Sequence, residues 1–452
     1  MSVIVELNKI PQNIIKQLNN DLIVKPISKE TKMYKGLNIP AKKIVVECFD
    51  TFKINKDSSK TPTEVACIPF SYYYHNMELS VPSVSLSPHS PAEMEFQGEL
   101  LERQKEVRKQ SLDILNRTKS IILSLHTGFG KTIFTLYLLS KIKLKAIVLC
   151  HRRIIIDQWI SSIKKYLPNT SVSVLGTKDE DVNSDIMIAN VINIPKKDRK
   201  FYSSYGAVVV DEIHTVCTES FSKSLLYLFP KYLIGLSATP VRSDGLDRIL
   251  EVFVGPEIII RNMYKHFNVY KLNTDFTPDV KTQITGNMDW NSVLESQAKD
   301  TNRNRLIVDL CRYFINRNIL VLVKRKDHAN TLMDMLKDNG ESVDVFMGDS
   351  KMCNYDCRIL IATYSKGGVG FDHPKLNMLI GAADVQESFM QYLGRIFRRD
   401  DVSPMYIDLV DNMTTLKTHS TSRCNICKDI GGIIKKFEKC FPYFYEMINL
   451  LK

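Results

Sequence analysis

Two short stretches of this chain carry residue types that can do chemistry together. In Leu125-His126-Thr127-Gly128-Phe129-Gly130-Lys131-Thr132, two glycines, a lysine and a hydroxyl residue crowd into one loop. Glycines let backbone N–H groups turn inward, a following helix N-terminus adds partial positive charge, and a lysine neutralises outer phosphates. The Thr132 hydroxyl is suited to ligate Mg²⁺. Further on, Asp211 and Glu212 end an apolar run. One carboxylate can hold a divalent ion while its neighbour orients and deprotonates a water, which is most of what hydrolytic phosphoryl transfer requires.

These groups are useful only if regular elements present them. The run Ile121-Ile122-Leu123 predicts a strand before the loop, and 133–139 predicts the helix after it. Strand-like runs recur at 145–150, 171–176, 185–190, 207–210 and 231–236, separated by helical segments such as 154–160. Short, wholly apolar strands alternating with helices indicate a doubly wound parallel sheet, whose functional residues gather at strand carboxyl ends. Asp211 therefore faces Thr132 across a metal site, and Ser237 and Thr239, in Ser-Ala-Thr-Pro, sit where small hydroxyls can couple that site to movement.

A second α/β unit is expected to begin with strands at 257–260 and 267–272 and continue through 320–323, 343–346 and 358–362. It contains no second Gly-Lys-Thr. It offers Thr363 to Asp372, whose glycines allow close backbone approach, and then Gln391-Tyr392-Leu393-Gly394-Arg395-Ile396-Phe397-Arg398. Arg395 and Arg398 are expected on one helix face, in the arginine-finger role toward a γ-phosphate. Residues 1–95 are expected to form a separate β-rich accessory domain, with Tyr72-Tyr73-Tyr74 in a half-buried strand. Gln104, upstream of the loop, can read an adenine edge, and Phe96 can stack on the base. The tail from about Thr414 is expected to end in an apolar-aromatic helix, 433–451, that packs back on the second unit.

Composition narrows the partners. Lys+Arg 61 against Asp+Glu 50 gives a net charge of +11, which favours a polyanion over nucleotide alone. No apolar run approaches the roughly 18–20 residues of a membrane span, and the N-terminal residues lack a signal-peptide core. An intracellular, soluble protein of the cytoplasm or nucleus is expected. The ten cysteines lack a framework spacing and are expected as free thiols.

Taken in order, Gln104, Leu-His-Thr-Gly-Phe-Gly-Lys-Thr, Cys-His-Arg-Arg…Gln-Trp, Asp-Glu-Ile-His, Ser-Ala-Thr-Pro, Thr363–Asp372 and Gln-Tyr-Leu-Gly-Arg-Ile-Phe-Arg resemble the motifs of superfamily 2 helicases. Asp-Glu-Ile-His and Arg242-Ser243-Asp244-Gly245 resemble the branch of XPB and the poxvirus transcript-release helicases, in which the turn reads Arg-Glu-Asp, so Ser243 departs from it. The resemblance implies an α/β fold of two tandem RecA-like lobes, at 96–257 and 258–452. It implies ATP and Mg²⁺ as cofactors, DNA rather than RNA as partner, a link to transcription machinery and, with a viral source, packaging in the virion. By position, Gln104, Leu125, His126, Thr127, Gly128, Phe129, Gly130, Lys131, Thr132, Gly370 and Asp372 contact nucleotide. Lys131, Asp211, Glu212, Gln391, Arg395 and Arg398 are catalytic, Thr132 and Asp211 hold Mg²⁺, and Ser237 and Thr239 couple. Arg152 and Thr363 are candidates for the nucleic-acid phosphate track. The rivals are an RNA-directed helicase and a non-catalytic nucleic-acid-binding subunit of a transcription complex.

Overall fold

The computed structural model describes residues 1–25, 31–34, 37–40, 46–54, 62–237, 247–283, 286–348, 350, 353–368, 373–386, 389–399 and 401–437. Two compact units emerge, Met1–Lys32 with Asn38–Arg261, and Met33–Leu37 with Asn262–Lys452.

In the first unit, seven parallel strands run in the order Val172–Val174, Ile186–Asn190, Ala146–Cys150, Ala207–Val210, Tyr232–Ser237, Ser120–Leu125 and Ile258–Arg261. Ala146–Cys150 and Ala207–Val210 are buried at every position, as strands covered on both faces must be. The register sets Val210 beside Gly235 and Gly235 beside Ile122. The loop after Leu125 and the acids after Val210 thus leave the same carboxyl edge. One boundary differs from expectation: Ile258–Arg261, predicted to open the second unit, pairs with Ser120–Leu125 as the edge strand of the first sheet. Its three consecutive isoleucines serve an edge of either sheet, so composition alone could not assign it.

The N-terminal residues are β-rich, as predicted. Asp50–Ile54, Thr63–Pro69, Ser2–Glu6 and Ser83–Val84 form an antiparallel sheet. This sheet shares one apolar core with the first unit, where Phe70 and Tyr73 lie with Leu226, Ile249 and Phe253. Tyr72-Tyr73-Tyr74 lies in the helix Phe70–Asn76, not in a strand. Pro69 ends the strand and starts the helix with a ready-set φ. Tyr72 and Tyr73 are buried, their hydroxyls bonded to Asp21 and the Val81 carbonyl, so those two rings have no face to offer a base.

The second unit repeats the architecture: Val343–Phe346, Ile359–Thr363, Ile319–Val323, Met378–Gly381, Met405–Val410, Phe267–Asn273 and Gly432–Phe437, all parallel. The predicted tail helix begins as a strand, Gly432–Phe437, because Ile433 and Ile434 complete the edge beside Phe267–Asn273. The rest of the predicted helix, from residue 438, lies outside the described residues. A buried ion pair pins this unit: Arg303 Nε donates to both Asp411 oxygens, at 2.9 and 3.1 Å, and Nη1 to the Ala382 carbonyl. Thr274 and Gln297 complete the Asp411 shell. Two seven-stranded parallel sheets flanked by helices are tandem RecA-like lobes.

Candidate functional site

The loop between Ser120–Leu125 and the helix Lys131–Ile142 is held open from behind. Gly128 and Gly130 both have φ +87°, a conformation that L side chains rarely adopt. A Cβ on Gly130 would also lie 2.5 Å from Gln104 Nε2. Gln104 is buried; its Nε2 donates to the Phe129 and Gly130 carbonyls at 3.1 and 3.2 Å, and its Oε1 accepts from Leu101 N at 2.9 Å. Arg103 Nη2 donates to the Gly128 carbonyl. These carbonyls are held from behind, and the His126 and Phe129 N–H groups donate to the Arg261 and His126 carbonyls. The loop's remaining N–H groups are the ones open to a ligand. Lys131 Nζ rests on the Leu125 carbonyl at 2.9 Å. That neutral acceptor is one a phosphate oxygen outcompetes, because hydrogen bonds to ionised groups are roughly twice as strong. The residues present fit a polyphosphate.

Across the carboxyl edge, Asp211 N donates to the Leu149 carbonyl. Trp159 Nε1 donates to Asp211 Oδ2 at 2.8 Å, and Glu212 N donates to Oδ1. Burial, with Glu212 beside it, pushes the Asp211 carboxyl up to about 6; the Trp159 bond and the Lys131 charge pull back. Carboxylate and hydroxyl oxygens are the donors that Mg²⁺ prefers, so Asp211 and Thr132 fit that ion. Glu212 takes φ +49°, left-handed, and turns the chain from the strand into Ile213–Val216.

A short relay leaves Glu212. His214 Nδ1 lies 3.6 Å from Glu212 Oε2 and 3.1 Å from Ser237 Oγ, at the end of Tyr232–Ser237. On the other side, Thr215 Oγ1 donates to the Glu212 carbonyl and meets His151 Nδ1 at 3.2 Å. Burial lowers the His151 imidazole to about 4, so it is neutral here. The acid, Ser237 and the loop after Cys150 are thus linked through side chains. Thr239 and the turn at 242–245 lie outside the described residues.

The remaining predicted residues lie in varied surroundings. Phe96 lies against Tyr166, rings parallel at 5.8 Å, with Tyr137 at its edge. His126 Nδ1 bonds the Thr127 carbonyl. Arg152 is exposed just ahead of the helix Arg153–Tyr166. In the second unit Thr363 is buried, its hydroxyl 3.1 Å from Ser365. Arg395 and Arg398 do not share an α-helical face. The helix Phe389–Leu393 tightens into a 3-10 turn, Gly394–Ile396, where Gly394 disfavours a further α turn, and Arg398 follows it. Arg395 Nη2 donates to the Gly368 carbonyl, and Gln391 is buried on the helix Phe389–Leu393. Gly370 and Asp372 lie outside the described residues. The roles of Arg103, Trp159 and His214 in holding this site were not foreseen; Trp159 and His214 were visible only as motif letters.

Residues 94–242 match the family described as "Type III restriction enzyme, res subunit". The chain is 40% identical over 402 residues to "Putative helicase 161L" of Invertebrate iridescent virus 6, covering 83% of this chain and 90% of that protein. It is 30% identical over 316 residues to "Transcript termination protein A18" of Yaba monkey tumor virus, covering 63% and 66%. Among solved structures, S. cerevisiae Dbp5 bound to RNA and ADP BeF3 superposes with a TM-score of 0.55 at 15% identity, covering 78% of this chain and 97% of that one.

Proposed function

The chain belongs to the superfamily 2 helicases of large DNA viruses, enzymes that hydrolyse ATP, and from that premise we propose a DNA-directed translocase acting in transcription. What carries the catalytic half is the arrangement on one carboxyl edge: a glycine loop with Lys131 beside Asp211, Glu212, His214 and Ser237. Thr132 and Asp211 would hold Mg²⁺, which when bound neutralises charge on the phosphates. Lys131 leaves the Leu125 carbonyl for a phosphate oxygen. Glu212 takes the proton of the attacking water at its carboxylate. By resemblance, Gln391, Arg395 and Arg398 of the second unit are the residues assigned to the triphosphate. His214 reports the state of Glu212 to Ser237, and so to whatever moves on hydrolysis.

The likeness to a transcript termination protein supports the transcription role, and the +11 charge supports a polyanion track. ATP hydrolysis by the purified chain, alone and with single-stranded DNA, duplex DNA or RNA, tests the proposal. A Glu212→Gln chain runs alongside. DNA stimulation that falls about 10²- to 10⁴-fold in the variant is expected. Stimulation by RNA alone would move the assignment to RNA, and hydrolysis unaltered by Glu212→Gln would remove Glu212 from the mechanism.

A further inference from the structure

A groove of about 790 Å³ lies in the first unit, between the strand Asp50–Ile54 of the N-terminal sheet and residues 195–200. It shares no residue with the nucleotide loop or with Arg152. Its floor is a three-layer stack: the Arg199 guanidinium lies 4.5 Å from the ring centroids of both Phe52 and Tyr227. Arg199 also bonds the Asp50 carboxylate, so its charge is spoken for. Lys197 is likewise matched, by Glu180 at 2.5 Å. Besides the carboxylate of Asp198, which also lines the groove, three cations remain: Lys53 on the strand, with Lys196 and Lys200 on the 195–200 segment, a local surplus of two positive charges. All three are exposed and make no ion pair among the described residues.

Such lysines, beside the partly exposed edges of two aromatic rings clamped on a guanidinium, combine an electrostatic track with aromatic surface. Single-stranded nucleic acid is gripped by that combination without regard to sequence. The volume falls within the roughly 300–1,000 Å³ of ligand pockets, which suits a short run of single strand better than a duplex. An acidic peptide would satisfy the lysines and leave the exposed edges of Phe52 and Tyr227 unused. We propose that this groove is a second nucleic-acid site, which holds single strand independently of ATP while the motor lobes change their grip. The proposal rests on the translocase reading for its ligand. It gives the N-terminal sheet a task, because Lys53 and Phe52 belong to that sheet.

The test is a Lys53→Glu/Lys196→Glu/Lys200→Glu chain beside the corresponding triple Lys→Arg chain, with a dT₂₀ or U₂₀ oligonucleotide as probe. In the Glu chain, nucleotide-free affinity should fall at least about 10-fold. The log-affinity against log-salt slope should shrink by about 2, given roughly 0.7 counterions per phosphate contact on single strands. ATP turnover at saturating polymer should be unchanged, and the Arg chain should behave like wild type. Unchanged affinity and slope in the Glu chain would overturn the groove alone. A wild-type chain neither bound nor stimulated by any polymer would overturn the translocase reading instead. Competition by polyglutamate as strong as by the oligonucleotide would reassign the groove to an acidic protein partner.

Discussion

Trp159 Nε1 donates to Asp211 Oδ2 across 2.8 Å, so a side chain from one helix fixes the orientation of a carboxylate 52 residues away. The indole is fully buried and has one N–H to give. Trp159→Phe keeps the ring and removes that donor. A hydrogen bond to a charged group contributes about 1.5–3 kcal/mol, so the Mg²⁺ concentration for half-maximal ATPase should rise about 10- to 100-fold. A magnesium titration that superposes on wild type would deny Trp159 this role.

Gln104 is committed to the protein, with both carbonyl partners in the loop and its acceptor on Leu101 N. Gln104→Ala leaves those groups unmet, at a cost of about 1–3 kcal/mol. The expected result is a higher KM for ATP and for GTP alike, because the loop is what loosens. If the side chain reads adenine once nucleotide is bound, only the ATP value should rise.

Removing Asp411 should damage the second unit severely. Its carboxylate balances the buried Arg303 and accepts from Thr274 and Gln297. Breaking one side of a buried pair costs about 3–5 kcal/mol. Asp411→Ala should lower the urea midpoint accordingly with little change in m, whereas Asp401→Ala, which breaks an exposed pair with Arg399, should leave it nearly untouched.

Acid should weaken the same unit through His328. Burial holds this imidazole at about 3, against 6.5 for the free group, and it meets Asn304 Oδ1 at 2.9 Å. The folded pKa is depressed, so the stabilising contribution is complete above pH 6.5 and is lost as pH falls toward 3. In that window the unfolded chain binds the extra proton, and stability should drop by up to about 1.4 kcal/mol per pH unit. His328→Gln should lower stability at neutral pH and flatten this slope, read from thermal unfolding between pH 4.5 and 7.5.

The sheets were legible because wholly apolar runs such as Ala146–Cys150 and Ile319–Val323 have no stable place except between two covering layers. The loop and the two acids were legible because their chemistry depends on local spacing. Local spacing misled where a distant partner decides. Ile433–Phe437 is a strand because Phe267–Asn273 offers it an edge, and Tyr72 is helical with its hydroxyl on Asp21. The same blindness hid Trp159, whose indole meets Asp211 at the end of Ala207–Val210, a strand distant in sequence from its own helix.

The pairing of Ser2 with the Leu228 carbonyl has a consequence for folding order. Their oxygen and nitrogen atoms meet across 226 residues of chain, and loop closure on that scale is entropically expensive before any contact repays it. Seven parallel strands in the first unit are themselves slow to register. The N-terminal sheet should therefore dock late, onto a partly assembled lobe that until then leaves Leu226, Ile249 and Phe253 open to water. During that interval the apolar seat is a site for mistaken association, so the terminal strand acts as the latch that ends it.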